Sequence, residues 1–293
     1  MATETETEKL GTKGSKTFLV GEPGSGKTTS LVSFIESGLK HDLPLKLAVL
    51  ITDPDGEDSL LKAMDERKLP LDRLYYHYVP PAARDWKALI ATAKRVNTMG
   101  YKDLTEIKSG IEKNQYTQFL DVLECLSDFV DQHGESHGPV DSWDSNMMLA
   151  VDSVSGINVM ALKLMTGGKP APHQGEWGVS MNLEEDLITK LVSTTKCFVT
   201  LTGHVDKEVD EVIGKPQFMP ALLGRKLAPK LPRIFSDVIL QIRDIDKFMW
   251  STVRRDYSCL KARNVGHKDN LQPTFEPMVS AWMKRQKLVE SAE

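Results

Sequence analysis

The chain has 293 residues, 40% of them hydrophobic, three cysteines and a formal net charge of −4. That length can bury a sizeable core in one large or two small domains. No apolar run approaches the roughly 20 residues of a membrane helix, and the acidic balance excludes a globally basic nucleic-acid binder, leaving only a local patch. The first residues lack the cationic and apolar regions of a signal peptide. Cys125, Cys197 and Cys259 form no C-x-x-C pair and read as reduced thiols of a cytoplasmic protein.

Residues 1–14, MATETETEKLGTKG, are polar without apolar periodicity and read as a disordered tail. From Lys16 onward, strand-like runs alternate with helical spacing. Strands are predicted over residues 17–20, 47–52, 74–78, 147–151, 197–202, 237–242 and 257–261. This alternation predicts one α/β domain over residues 15–293, a mainly parallel sheet flanked by helices. Helical spacing links Leu31, Phe34, Ile35 and Leu39, and again Trp86, Leu89, Ile90 and Ala93, with a break at Val79-Pro80-Pro81 between them. A helical insertion is expected over residues 100–146, its clearest part carrying Phe119, Val122, Leu123, Leu126, Phe129 and Val130. His133 and His137 lack a third ligand at a recognised spacing and are expected in an exposed loop rather than a metal site.

The first predicted strand leads into Gly21-Glu22-Pro23-Gly24-Ser25-Gly26-Lys27-Thr28-Thr29, a complete G-x-x-x-x-G-K-[ST] pattern followed by a helix. Glycines let such a loop turn sharply and aim its N–H groups at phosphate oxygens. Lys27 places a charge at the β- and γ-phosphates of ATP, and the Thr28 hydroxyl binds Mg²⁺. The apolar run from Met147 to Val151 ends in Asp152, a second carboxylate for Mg²⁺, with Ser153 beside it. The strand ending at Thr52 is followed by Asp53, Asp55 and Glu57, any of which could act on an attacking water. Another strand ends in Gly203-His204, where a polar residue can sense the γ-phosphate.

The order of these parts resembles the RecA-like ATPases, most of all the compact phage proteins of single-strand annealing and recombination. The strands ending Asp53-Pro54-Asp55, Val151-Asp152-Ser153 and Thr202-Gly203-His204 carry the likeness, as does Lys261-Ala262-Arg263-Asn264 after a late, antiparallel-like strand. The resemblance covers nearly the whole chain, from Lys16 to Pro277, and its implications are specific. Asp55 stands where the family has a water-activating acid, although Asp replaces the usual Glu. His204 takes the place of the γ-phosphate sensor. Lys261 or Arg263 would enter a neighbouring subunit's site, making the working unit a homo-oligomeric ring or filament. Single-stranded DNA would contact two loops, residues 155–177 with Lys163, Lys169, His173 and Trp177, and residues 205–232. Lys215, Arg225, Lys226 and Lys230, with Arg233 just beyond, supply the positive charge of the second. The implied activity is Mg²⁺-dependent ATP hydrolysis on single-stranded DNA in phage-type recombination or replication, in the host cytoplasm if phage-encoded. Two other readings stay open. One is an ATP-binding accessory or loader of replication and recombination proteins that hydrolyses slowly; the other is a small-molecule kinase, for which no arginine-rich lid is readable.

Overall fold

The run Phe18-Leu19-Val20 has no polar side, which suits a strand covered on both faces. In the computed structural model it lies in the middle of a sheet and is buried throughout. The structure describes residues 12–82, 85–106, 113–209, 216–223, 227–254, 256–257 and 259–291. In chain order its elements are β1 (Lys16–Gly21), α1 (Lys27–Leu31), α2 (Ser33–Lys40), β2 (Lys46–Ile51), α3 (Gly56–Glu66), β3 (Leu74–Tyr78), α4 (Trp86–Asn97), α5 (Tyr101–Glu106) and α6 (Gln118–Ser127). There follow β4 (Met147–Asp152), α7 (Val154–Thr166), α8 (Gln174–Thr194), β5 (Phe198–Gly203), β6 (Val205–Val209), β7 (Pro216–Pro220), β8 (Asp237–Asp244), β9 (Lys247–Ser251) and α9 (Glu276–Glu290).

The main sheet has the order β3-β2-β4-β5-β1-β8-β9. Neighbours from β3 to β8 run parallel, and β9 closes the edge antiparallel to β8. This is the expected α/β class. Parallel neighbours require crossover connections, and here helices cover both faces. Phe18, Val20, Leu149 and Val151 pack with Val122, Ile157 and Leu187 from α6, α7 and α8. On the other face Leu19, Val49, Met148 and Ala150 pack with Phe34, Leu60 and Val279 from α2, α3 and α9. Val20 lies opposite Gly203, Ile51 opposite Asp152, and Gly21 opposite Gln241. The C-terminal ends of β1, β2, β4 and β5 therefore open on one edge, where open α/β sheets bind ligands. Among the described residues no helix is long and apolar enough to cross a membrane.

Several expectations change. Among the described residues of 257–261 there is no strand: Tyr257 and Lys261 make single bridges to Phe218 and Val238. The closing antiparallel strand is β9, five residues long and too mixed in character to stand out in the sequence. The supposed loop of residues 155–177 is mostly helix, with α7 running to Thr166 and α8 beginning at Gln174. Residues 205–232 contain the antiparallel ribbon β6–β7, in which Val205 faces Pro220. Part of the expected tail is held in place: the Gly14 N–H donates to the Lys196 carbonyl at 2.8 Å, and the Trp282 indole donates to the Thr12 carbonyl at 3.0 Å. The stripe led by Trp86 does form a helix, α4, but Trp86 is 81% exposed and the helix buries none of its residues.

The clearest helix of residues 100–146, α6, packs through Phe119, Val122, Cys125 and Leu126. Beyond α6, Asp131 organises a turn by accepting from the backbone N–H groups of His133 (2.8 Å) and Glu135 (3.0 Å). His137 Nε2 lies 2.9 Å from its other oxygen, and among the described residues no group of three or more His, Cys, Asp or Glu could hold a metal. Burial opposes the Asp131 charge, but the bonds from His137 and the backbone N–H groups outweigh it and hold the carboxyl below its ordinary pKa. A carboxylate with a depressed folded-state pKa stabilises the fold above its unfolded value of about 4, and that stabilisation is lost as pH falls through the folded value. Asp131→Asn is expected to lower stability by about 1–3 kcal/mol at neutral pH. It should also flatten the decline below about pH 4, as urea unfolding across a pH series would show.

Candidate phosphate-loop active site

The loop between β1 and α1 turns through Gly24 (φ 71°) and Gly26 (φ 89°), a left-handed backbone that glycine adopts without penalty. A Cβ on Gly26 would stand 2.8 Å from the Phe248 ring of β9. The loop is thus packed by the edge of the sheet as well as supported by β1. Lys27 Nζ donates to the carbonyls of Gly21 (2.9 Å) and Glu22 (3.0 Å) and lies 3.4 Å from His204 Nδ1. Burial pushes the Lys27 pKa down, while Asp152 and then Asp53 pull it back up.

Asp152 ends β4 and is only 2% exposed. Its two oxygens are satisfied by hydroxyls from different elements. Thr28 Oγ1 donates to Oδ2 at 2.6 Å, and Thr202 Oγ1 of β5 donates to Oδ1. Burial raises the Asp152 pKa, the Thr202 and Thr28 hydrogen bonds lower it, Asp53 raises it, and Lys27 lowers it. The adjoining Asp152–Ser153 peptide is cis. The Thr28 hydroxyl and Asp152 carboxylate are hard oxygen donors side by side at the N-terminus of α1, a donor set that fits Mg²⁺. Such an ion would neutralise charge on the bound phosphates.

Of the acids after β2, the structure brings Asp53 to this cluster. Ser153 Oγ donates to Asp53 Oδ1 at 2.9 Å, and His204 Nε2 lies 3.7 Å from Asp53 Oδ2. Thr52 locks the turn, its hydroxyl donating to the Ser153 carbonyl (2.7 Å) and accepting from the Ser153 N–H (3.0 Å). Asp55, the acid singled out from the sequence, instead immediately precedes α3 with φ 61° and lines a surface hollow with Glu57, Asp58 and Tyr78. Glu57 is taken by the Tyr76 hydroxyl, 2.7 Å away.

The basic residues fare differently. Lys169 was expected on DNA, but its side chain is fully buried and its ammonium lies 2.9 and 3.1 Å from the two oxygens of Glu176. It is a structural ion pair, closed to a phosphate backbone. Lys215, Arg225 and Lys226 lie outside the described residues. Lys230 and Arg233 are exposed but precede β8, near the start of β1. Lys261 pairs with Val238, which is level with Phe18, three residues and about 10 Å below Gly21. The Lys261 ammonium bonds to the carbonyls of Arg233 and Phe235, and the Arg263 N–H donates to Asp237 Oδ1 at 2.7 Å. Lys230, Arg233, Lys261 and Arg263 therefore share the end of the sheet opposite the phosphate loop of the same chain. Among the described residues, Arg243 and Arg254 lie beside the loop with Glu22 to Ser25, and neither stands out in the sequence. Thr52 and Thr202 were also passed over, although a hydroxyl ending an apolar strand is a readable signal.

No protein-family model and no curated protein matches the chain. Among solved structures it is similar to a KaiC-like protein from the hyperthermophilic archaeon Pyrococcus horikoshii, with 13% identity, 88% of this chain and 83% of that chain covered, and a TM-score of 0.39. It is also similar to a RadB recombinase, with 13% identity, 82% and 80% covered, and a TM-score of 0.39. At that level of similarity the site stands on its own geometry.

Gly21 tests the fit of the loop against its neighbour strand. A Cβ there would stand 2.5 Å from the Gln241 carbonyl oxygen and 2.7 Å from Ser25 Oγ. Because backbone must move to admit it, Gly21→Ala is expected to lower stability by about 1–3 kcal/mol in thermal or urea unfolding. ATP affinity in calorimetry should fall with it.

Proposed function

We propose that the chain is a Mg²⁺-dependent ATP hydrolase that acts on single-stranded DNA as a homo-oligomer, in recombination or replication of the phage type. The observation that carries the hydrolase reading is the convergence of Lys27, Thr28, Asp152, Asp53 and His204 at the ends of β1, β2, β4 and β5. In this reading the loop N–H groups and the α1 N-terminus hold the phosphates. Lys27 leaves its loop carbonyls for the β- and γ-phosphates, and Thr28 and Asp152 hold Mg²⁺. Asp53, oriented by Ser153, accepts the proton of the attacking water. His204, between Lys27 and Asp53, reports the γ-phosphate to β6, which begins at the next residue. A slow, switch-like hydrolase is the second reading. It is favoured because Ser153 and His204 already engage Asp53, and Asp55 is turned to the surface hollow.

Lys27→Ala and Asp152→Ala are each expected to lower magnesium-dependent ATP turnover by about a hundredfold or more while the protein stays folded. Asp53→Asn should lower turnover by about a hundredfold or more with ATP affinity nearly unchanged, whereas Asp55→Asn should stay within about threefold of the parent. If Asp55→Asn proves the crippling change, the water-activating role passes from Asp53 to Asp55.

The oligomer and DNA readings are supported by the exposed basic end of the sheet. Arg263 there is too far from its own loop to serve it and is available to a neighbour. Mixing Arg263→Ala with Lys27→Ala chains should therefore restore part of the activity that each has lost. Arg233, and Lys230 with its ammonium 3.9 Å from Glu185 Oε1, are the described cations of this end that would meet DNA phosphates. Replacing both with alanine should flatten the dependence of log affinity on log salt for an oligonucleotide by up to about two contacts' worth. An unchanged slope would leave that end of the sheet to subunit assembly.

A further inference from the structure

The ribbon β6–β7 leaves the main sheet at His204 and comes back at Ala221, and side chains of α7 and α8 hold its base. The His204 N–H donates to Ser155 Oγ in the first turn of α7 at 3.1 Å, and the Ala221 N–H donates to the His204 carbonyl at 2.9 Å. Asn158 of α7 donates from Nδ2 to the Ala221 carbonyl at 2.9 Å. Glu184 of α8 accepts from the Leu223 N–H through Oε2 at 3.2 Å. Residues 221–223 are thereby seated on α7 at one end and on α8 at the other.

Glu184 differs from the other members of this seat. It is fully buried, and among the described residues its Oε1 has no hydrogen-bond partner. Asn158 Oδ1 is buried without a partner in the same sense. Two oxygens anchored on one short segment lack a donor, and a proton on Glu184 supplies one. An ionised carboxylate here would have a single backbone N–H to set against its desolvation, a strongly unfavourable state. The charged groups of the surrounding elements are engaged elsewhere or exposed. Lys163 of α7 lies over the Tyr116 ring, and Lys169 and His173 lie with Glu176. Lys230 is 3.9 Å from Glu185 and Lys190 pairs with Asp141, while Asp186, Lys207, Glu208 and Arg233 are exposed and Asp206 is half-buried. Burial pushes the Glu184 pKa up to about 8 against the pull of the Leu223 N–H, and among the described residues no charged neighbour offsets this.

We propose that Glu184 is a proton-held latch: as a neutral acid it keeps residues 221–223 on α8 and the ribbon β6–β7 in its seat, and giving its proton to solvent frees the ribbon. Seating is a property of the fold, so this inference does not rest on the function proposed above. Its consequence still reaches the phosphate loop, because the ribbon starts at His204, whose Nδ1 lies 3.4 Å from the Lys27 ammonium.

A carboxyl whose folded-state pKa is raised stabilises its seat fully below the exposed value of about 4.3, and progressively less as pH rises. The loss is complete once pH passes the folded value of about 8. Hydrogen exchange by mass spectrometry on the full chain, corrected for the intrinsic rise of exchange with pH, reads the seat through peptides covering residues 216–223. In the parent, protection should fall by about tenfold to a hundredfold between about pH 6 and pH 8. Glu184→Gln keeps an acceptor for the Leu223 N–H and carries a permanent donor, so it mimics the neutral acid. It should match the parent within about threefold at about pH 6 and hold that protection to about pH 8. Parent protection that is flat across this range would overturn the latch, whatever the variant does. So would a Glu184→Gln chain that declines in step with the parent, since another group would then be titrating. A Glu184→Gln chain far less protected than the parent at the acidic end would overturn it as well, because the charge itself would be holding the segment.

Discussion

The arrangement depends on one buried carboxylate. Asp152 sits at the end of an apolar strand where an unsatisfied charge would be strongly unfavourable. Two threonine hydroxyls relieve that burden, one from the first turn of α1 and one from β5. Each bond also fixes geometry: Thr28 draws the phosphate-loop helix onto β4, and Thr202 holds the intervening strand in register. Burial still pushes the acid toward its neutral form, so a cation placed beside it would gain from the arrangement. Weakening any of the three groups would loosen the relation between the loop and the strand that faces it.

The loop is gripped from its other side by the edge of the sheet. Phe248 of β9 lies where a side chain on Gly26 would go, and the Gln241 backbone lies where one on Gly21 would go. Trp250 holds the Gln241 side chain in turn. The antiparallel β9, absent from the expected strands, is therefore part of what shapes the phosphate site. The ribbon β6–β7 joins the same neighbourhood. It begins beside His204, and Phe218 on its second strand bridges to Tyr257.

The sheet order also redistributes charge. Residues separated in the chain by about thirty positions, Arg233 and Arg263 among them, are gathered at one end by the bridge between Val238 and Lys261. Lys169 moves in the opposite sense, from an apparent DNA contact to an interior pair with Glu176. A surface cation and a buried one look alike in sequence, because burial depends on what packs over them.

Lys27, Thr28 and Asp152 stand out in the sequence because each belongs to a short local pattern: a glycine-rich turn between strand and helix, or an apolar run ending in an acid. The α/β class followed from alternating periodicities in the same way, and the main parallel strands were found within a residue or two of their ends. Asp53 against Asp55 was not legible. The choice turns on the bond from Ser153, a hundred residues away, and on the Thr52 hydroxyl that sets the direction of the turn. The Lys27–His204 approach spans 177 residues and the Thr28–Asp152 bond 124. The amino-acid sequence by itself determined the α/β class, the parallel strands of the main sheet and the glycine-rich turn after the first of them, since hydrophobic period and turn chemistry act over a few residues. Strand order and register decided which acid lies beside the loop and which cations reach the surface. Those contacts join residues that no local pattern relates.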